Sequence, residues 1–134
     1  MNNKMTDYSG CGRILLMDDD EDVRNVIVRL LLKFGYEVVA TTEGSQAVQA
    51  YKIALEEQKS FDLVIMDLTV RDGMQGIDAV KAILAIDPGA DILVVSGYSN
   101  NVIMSRYKDY GIKGVITKPF DINEFLIIIK KMCH

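Results

Sequence analysis

The sequence contains few of the features that would distinguish it from an ordinary globular domain. It contains no tryptophan, two prolines and two cysteines in 134 residues. No apolar run approaches the ~20 residues that a membrane-spanning helix needs, and no signal peptide is recognisable at the amino terminus. We therefore expect a cytoplasmic protein that does not bind membranes.

The scarcity of cysteine also excludes several kinds of site. Cys11 and Cys133 lie near opposite ends of the chain and lack the spacing of metal-ligand pairs. We expect two free thiols in a reducing cytoplasm rather than a disulfide.

An excess of positive charge is missing as well. The net charge is −4 at pH 7, and the lysines and arginines are scattered along the chain. The longest cluster of like charge is acidic and covers residues 18–22. This composition offers no electrostatic basis for binding nucleic acid.

Nothing in the sequence divides the chain into parts. It has no linker rich in proline, glycine or serine and no internal repeat. Its length is that of one domain, large enough to bury a core without disulfides. We expect a flexible leader over residues 1–12 and a single domain over residues 13–134.

What the sequence does have is a regular alternation of two kinds of segment. Short, mainly apolar runs predict five β-strands, over residues 13–18, 36–41, 62–67, 91–96 and 113–118. Segments with helical spacing of apolar residues separate them. This order predicts an α/β fold, in which a doubly wound, five-stranded parallel sheet is covered by helices on both faces.

The helical segments differ in strength. In the first, one face is predicted to be apolar and to end at Gly35; its residues are Val23, Val26, Ile27, Leu30, Leu31 and Phe34. A weaker helix is predicted from about residue 101 to residue 110, with its stop at Gly111. The last helix should begin at Asp121, with Glu124 placed as in a capping box.

Polar side chains collect where the predicted strands end. The first strand ends in Asp18 and Asp19, the third in Asp67, the fourth in Ser96 and the fifth in Lys118. An acidic residue at a strand end is more often a helix cap than a ligand, and we assign the neighbouring Asp20 that role. All five together are hard to reach by chance. Because parallel sheets bind ligands at this edge, we expect one site.

The composition of this site indicates phosphoryl chemistry. Three neighbouring carboxylates repel one another, and a divalent cation relieves the repulsion. Oxygen ligands with few protein contacts suit Mg²⁺. Asp67, alone at the end of the central strand, is best placed as a nucleophile. Ser96 and Lys118 would then contact phosphoryl oxygens.

Four motifs carry a resemblance to a known family. The segments "ILLMDDDEDVR", "DLVIMDLTV", "VVSGYS" and "ITKPF" resemble, in order and spacing, the receiver domain of two-component response regulators, over essentially residues 13–132. The resemblance implies a flavodoxin-like (βα)5 fold with strand order 2-1-3-4-5. It also implies a phosphorelay signalling domain, not an enzyme, that is a monomer or weak dimer and accepts a phosphoryl group from a sensor histidine kinase or a histidine phosphotransfer domain.

The same resemblance implies a role for each site residue. Asp67 corresponds to the phosphoacceptor, Ser96 to the switch hydroxyl and Lys118 to the lysine, here followed by Pro119. Mg²⁺ is then held by Asp18, Asp19, Asp67 and the main-chain carbonyl of Thr69. The Lys-Pro bond is often cis in the family, which would direct the lysine into the site.

Two departures from the family pattern bear on mechanism. The family usually has a proline four residues after the acceptor, and this chain has Arg71 there. The loop to Gly76 is also one residue longer than the commonest form. That loop and "SGYSN" are similar to receivers attached to hybrid sensor kinases. Val115 stands where many receivers have a tyrosine or phenylalanine that swings inward, so an aromatic switch at this position is doubtful.

Two other functions compete with the signalling receiver. A haloacid-dehalogenase-like phosphatase also uses an aspartate nucleophile and Mg²⁺, but it carries the nucleophile on its first strand and needs a second aspartate where this chain has Thr69. A phosphorylation-independent interaction module would have kept the fold and lost the switch; only Val115 supports it. The sequence leaves open whether the receiver stands alone or belongs to a hybrid kinase.

Overall fold

The computed structural model describes residues 12–68, 76–97 and 105–133. Five strands are present in this part of the chain: β1 (Arg13–Met17), β2 (Glu37–Thr41), β3 (Leu63–Asp67), β4 (Ile92–Ser96) and β5 (Gly114–Thr117). The α-helices are α1 (Glu21–Lys33), α2 (Gly44–Glu56), α3 (Gly76–Ile86) and α4 (Ile122–Met132), and a 3₁₀ helix covers Tyr107–Tyr110. None of these helices is long and apolar enough to cross a membrane.

The strands form one parallel sheet in the order β2-β1-β3-β4-β5. The predicted α/β fold and strand order are therefore confirmed. Each strand lies within its predicted run, and the first and last end one residue early, so that Asp18 and Lys118 lie just beyond the sheet. Their main-chain N–H groups still extend the ladder, and their side chains lie at the carboxyl edge.

Both faces of the sheet are buried, because successive residues of a strand point to opposite sides. In β3, Leu63 and Ile65 belong to one core cluster, and Val64 and Met66 belong to the other. The first cluster is covered by α1 and α4, and the second by α2 and α3. Described residues thus enclose both faces of the central strand, and Asp67 lies at its carboxyl end.

Two helix starts confirm their predicted caps. The Asp20 carboxylate accepts hydrogen bonds from the main-chain N–H groups of Asp22 and Val23, at 3.0 and 3.1 Å. Asp121 accepts one from the N–H of Glu124 at 2.7 Å. Each bond satisfies an N–H group that has no partner within its own helix. Asp20 is therefore a cap, as its position before α1 predicts.

The predicted apolar face of α1 is wrong at Val26, whose side chain is 58% exposed. The buried residues of this helix are Ile27 and Leu31. At about 100° per residue, Val26 lies roughly 140° from Leu31 around the helix axis. The packed stripe is narrower than the apolar stripe in the sequence, so the residue at its margin faces outward.

The predicted fourth helix falls partly on residues outside the described ranges. The described part turns from α-helical at residues 105–106 into the 3₁₀ helix. Gly111 then follows with φ 85°, a left-handed conformation that glycine adopts without a steric penalty. The predicted stop at Gly111 is confirmed. Tightening of a last helical turn into a 3₁₀ helix is common at this position.

The predicted leader and domain bounds stay predictions. Residues 1–11 lie outside the described ranges, and with them most of the predicted leader and Cys11. Cys133 is buried behind the end of α4. The preference for thiols over a disulfide stays a prediction.

Candidate functional site

Four strands deliver the predicted side chains to one edge of the sheet. Asp18 and Asp19 follow β1, Asp67 ends β3, Ser96 ends β4, and Lys118 follows β5. In the strand register Asp67 pairs with Val95, one residue before Ser96. Because the strands are parallel, these ends reach the same edge, where open α/β sheets bind ligands. The structure brings all the predicted side chains of the site to this edge.

The three carboxylates are close enough to share one cation. Asp18, Asp19 and Asp67 each offer an oxygen, and these oxygens lie within 4.8 Å of one another. Asp18 and Asp67 are each 2% exposed, whereas Asp19 is exposed. Hard carboxylate oxygens with an open side to water match the preference of Mg²⁺, which keeps several waters. The donor set therefore fits Mg²⁺.

Lys118 supplies the positive charge inside the site. Its Nζ lies 3.0 Å from Oδ2 of Asp67, whose side chain is 3% exposed. Its main-chain N–H donates to the carbonyl of Ser96 at 2.8 Å. The Lys118–Pro119 peptide bond is cis. Among the described residues, one ammonium group thus stands against the three carboxylates.

The Ser96 hydroxyl is completely buried at the end of β4. It donates a hydrogen bond to the carbonyl of the next residue, Gly97, at 3.0 Å. That bond uses the only proton that the hydroxyl can donate. Donation to any other acceptor therefore requires the hydroxyl to rotate or the loop to shift.

The pKa of Asp18 is raised from its ordinary 3.8 to about 6. Burial is the largest cause, and the main-chain hydrogen bond from Asp20 opposes it. The charge of Asp67 and a hydrogen bond with that carboxyl raise the pKa further, whereas Lys118 lowers it. When two carboxyls share a buried site, repulsion between their charges raises the pKa of one of them.

The turn that carries Asp18 and Asp19 is held by its own main chain. The N–H of Asp18 extends the ladder to the carbonyl of Thr41 at 3.1 Å. The carboxylate of Asp18 then accepts from the N–H of Asp20 at 2.9 Å. These bonds join the acidic turn to the end of β2 and to the start of α1.

Two residues near the site have no role that the sequence pattern predicts. Arg24 of α1 donates from Nη1 to the main-chain carbonyl of Asp18 at 2.9 Å. Gly76 begins α3 so close to β3 that an added Cβ would lie 2.8 Å from the carbonyl oxygen of Asp67. In the sequence, Arg24 appears only as the final residue of the "DDDEDVR" segment, and Gly76 only as a glycine before an amphipathic run.

Some predicted features fall outside the described residues. Thr69 and Arg71 are among them, so the predicted main-chain ligand and the unusual loop stay predictions. Val115 is described. It is partly buried, pairs with Val94 and packs against the cluster covered by α2 and α3. An aliphatic side chain thus fills the position where many receivers have an aromatic one.

Comparison with known proteins gives a consistent result. A family description for the response regulator receiver domain matches residues 14–130. The chemotaxis protein CheY of Bacillus subtilis is 40% identical over 120 residues, which cover 89% of this chain and 95% of that protein. The CheY of Thermotoga maritima is 36% identical over 121 residues, covering 90% of this chain and 96% of that protein.

Similarity also extends to a kinase and to solved structures. The sensor kinase CckA of Brucella abortus is 29% identical over 129 residues, which are 96% of this chain but 13% of the kinase. The crystal structure of a response regulator receiver domain protein from Clostridium thermocellum superposes with a TM-score of 0.79 at 23% identity, covering 90% of this chain and 93% of that one. The structural likeness bears on the fold alone.

The raised pKa of Asp18 predicts how metal-free protein responds to pH. A pKa raised on folding means that the folded state binds the proton more tightly, so stability is gained as the pH falls through about 6 toward 4. Above that window the buried charge costs about 3 kcal/mol. Asp18→Asn keeps the acceptor for the Asp20 N–H but removes the charge. We expect it to be more stable than wild type at pH 7, with the difference shrinking toward pH 4.

Urea unfolding of both proteins in a chelator, from pH 7 to pH 4, measures this difference. Parallel pH profiles for wild type and Asp18→Asn would show that Asp18 is not the titrating group.

Proposed function

The chain belongs to the response regulator receiver family, and on that basis we propose that it accepts a phosphoryl group on Asp67. The observation that carries the proposal is the meeting of three carboxylates with Lys118 at one edge of the sheet. Receiver domains are signalling domains of two-component and phosphorelay systems. The proposal assigns to Asp67 the covalent step of that signalling.

In the proposed step an oxygen of Asp67 attacks the phosphorus of a phosphohistidine. The P–N bond breaks, an acyl phosphate forms, and the imidazole leaves and takes a proton from solvent. Such transfers depend on in-line positioning and on charge neutralisation more than on acid–base groups. Lys118 supports the second requirement, because its ammonium already lies 3.0 Å from the attacking carboxylate.

We assign the proposed metal to Mg²⁺, held by Asp18, Asp19, Asp67 and the main-chain carbonyl of Thr69. The first three are supported by their proximity, and Thr69 by family resemblance alone. When bound, Mg²⁺ offsets the charge of the carboxylates and of the incoming phosphoryl oxygens. Asp67 then acts as ligand and nucleophile, while Asp18 and Asp19 serve only as ligands.

The proposed partner is a sensor histidine kinase or a histidine phosphotransfer domain. A cytoplasmic location and monomeric or weakly dimeric state belong to the same proposal, as does a lack of nucleic-acid binding, which the net charge of −4 supports. The chain is similar to CheY proteins over nearly their whole length and to a small part of a sensor kinase. Both a separate regulator and a kinase-attached receiver are consistent with this similarity. We propose no turnover of external phosphate esters.

The proposed output is a shift of the loop after β4. A phosphoryl group on Asp67 adds about two negative charges beside Ser96 and Lys118. Each side chain can form a charge-assisted hydrogen bond to the new oxygens. Ser96 would exchange its bond to Gly97 for one to a phosphoryl oxygen, and the main-chain bond from Lys118 to Ser96 joins the two responses. With Val115 in place of an aromatic, the change stays mainly in this loop and the helix that follows.

Asp67→Asn should abolish phosphorylation while keeping the fold, because the replacement is isosteric but not nucleophilic. We expect labelling by acetyl phosphate with Mg²⁺ to fall below about 1% of wild type. The matched control is Asp20→Asn, which removes one nearby charge and keeps a capping side chain. Undiminished labelling of Asp67→Asn would show that the phosphoacceptor is another carboxylate.

Asp19→Asn should weaken Mg²⁺ binding about tenfold or more, since it removes a proposed ligand. Asp20→Asn removes an equal charge from the same turn but no ligand, so its loss should be small. Isothermal titration of each variant with Mg²⁺ at constant ionic strength makes the comparison. Equal losses would place the ligands one residue away from the proposed register.

Ser96→Ala should uncouple the site from the region beyond it. We expect beryllofluoride, a phosphoryl mimic, to shift the NMR signals of residues 105–111 in wild type and to leave them nearly unchanged in Ser96→Ala. Thr117→Ala is the control, because Thr117 pairs with Ser96 in the register but is exposed. A full response in Ser96→Ala would exclude transmission through this hydroxyl.

A further inference from the structure

Arg24 contacts the acidic turn before α1 at two points. Its Nη1 donates to the main-chain carbonyl of Asp18 at 2.9 Å, and its own N–H donates to the carbonyl of Asp20 at 2.8 Å. The side-chain contact is half-buried, so water competes with it only partly. The second contact is the first main-chain bond of α1, which any residue except proline makes, so only the guanidinium contact depends on the identity of residue 24.

The position of the Asp19 carboxylate depends on that restraint. Asp18 is tied by its own carboxylate to the N–H of Asp20. For the exposed Asp19 side chain, no hydrogen bond or ion pair with another described residue is seen in residues 12–68, 76–97 or 105–133. Its direction toward the oxygens of Asp18 and Asp67 therefore follows from the main chain of the turn. That main chain is held by the bonds of Asp18 to Thr41 and to Asp20, and the side chain of Arg24 adds a bond to the carbonyl of Asp18.

We infer that Arg24 is a positioning residue of the proposed Mg²⁺ site: its guanidinium holds the Asp18–Asp20 turn so that Asp19 meets the other carboxylates. The inference rests on the metal site of the proposed function. Mg²⁺ requires nearly ideal octahedral geometry at short distances. A turn that relaxes when Arg24 is lost would then cost metal affinity, as groups that orient metal ligands generally do.

Because Arg24 is charged, the direction of the change in Mg²⁺ affinity on its replacement separates two explanations. A guanidinium near the acidic cluster repels an incoming cation, so its removal should strengthen metal binding if charge alone mattered. Positioning predicts the opposite, namely weaker binding after a positive charge is lost. The two explanations thus differ in direction and not merely in size.

A second discrimination comes from the choice of cation. Ca²⁺ accepts more ligands at longer and more variable distances than Mg²⁺. A loosened turn should therefore weaken Mg²⁺ more than Ca²⁺. A change of charge, or a general loss of helix stability, would alter the affinities for both ions by a similar factor.

The experiment compares Arg24→Met, Arg24→Gln and Arg24→Lys with Arg29→Met in the intact chain. Arg29 lies on the same helix at an exposed position, so its replacement removes the same charge without the turn contact. Isothermal titration measures the dissociation constants for Mg²⁺ and Ca²⁺ at constant ionic strength, and urea unfolding in a chelator measures stability.

We expect Arg24→Met and Arg24→Gln to bind Mg²⁺ about tenfold more weakly than wild type. The loss for Ca²⁺ should stay within about threefold, and Arg24→Lys should lie between wild type and Arg24→Met. Arg29→Met should bind both ions as wild type does. If Arg24→Met folds poorly, the neutral and more polar Arg24→Gln decides by the same criteria.

Unchanged or tighter Mg²⁺ binding in the folded neutral variants would overturn the inference, and so would equal losses for the two cations. Absence of Mg²⁺ binding by wild type would overturn the proposed metal site together with the role of Arg24. By contrast, normal Mg²⁺ binding combined with phosphorylation at a residue other than Asp67 would refute the proposed acceptor and leave the inference on Arg24 standing.

Discussion

The repulsion among three carboxylates at the end of a buried sheet is the constraint on which the rest of this site depends. Asp18 and Asp67 are almost fully shielded from water, and one ammonium group, that of Lys118, stands beside them. Burial is the largest cause of the raised pKa of Asp18, and the charge of Asp67 raises that pKa further. Charge that is costly to keep in the empty site becomes favourable once a cation neutralises it. The same arrangement therefore supports the proposals that the site binds Mg²⁺ and that an added phosphoryl group disturbs it.

The fold sustains this imbalance because its main chain is fixed from several sides. Two layers of helices bury both faces of β3, and Asp67 lies at its carboxyl end. The start of α3 lies so close to that end that only glycine fits at residue 76 without displacing the main chain of Asp67. On the other side, caps and the side chain of Arg24 hold the acidic turn. Carboxylates on such a frame cannot move apart to relieve their repulsion, so they relieve it by binding a proton or a cation.

The limits of prediction follow from which interactions are local. Strand positions could be predicted because an apolar run of five or six residues reports burial on both faces, and the strand ends then identified the polar edge. The cap at Asp20 could also be predicted, since it depends on residues two and three positions away. Val26 was predicted on the wrong side of α1 because the width of the packed stripe depends on the sheet and not on the helix. Arg24 and Gly76 were missed for a related reason: each acts on a main-chain atom that their residue types do not reveal.

The sequence by itself determined the order of elements, the parallel sheet and the set of polar residues at its carboxyl edge, because periodicity and strand ends are written in neighbouring residues. The tertiary structure alone decided how close the carboxylates lie, which of them are shielded from water and how far the pKa of Asp18 is raised. It also decided that Arg24 reaches the carbonyl of Asp18 and that Gly76 touches the main chain of Asp67. Distances and dielectric shielding arise only when segments far apart in the chain are packed together, and no local pattern encodes them.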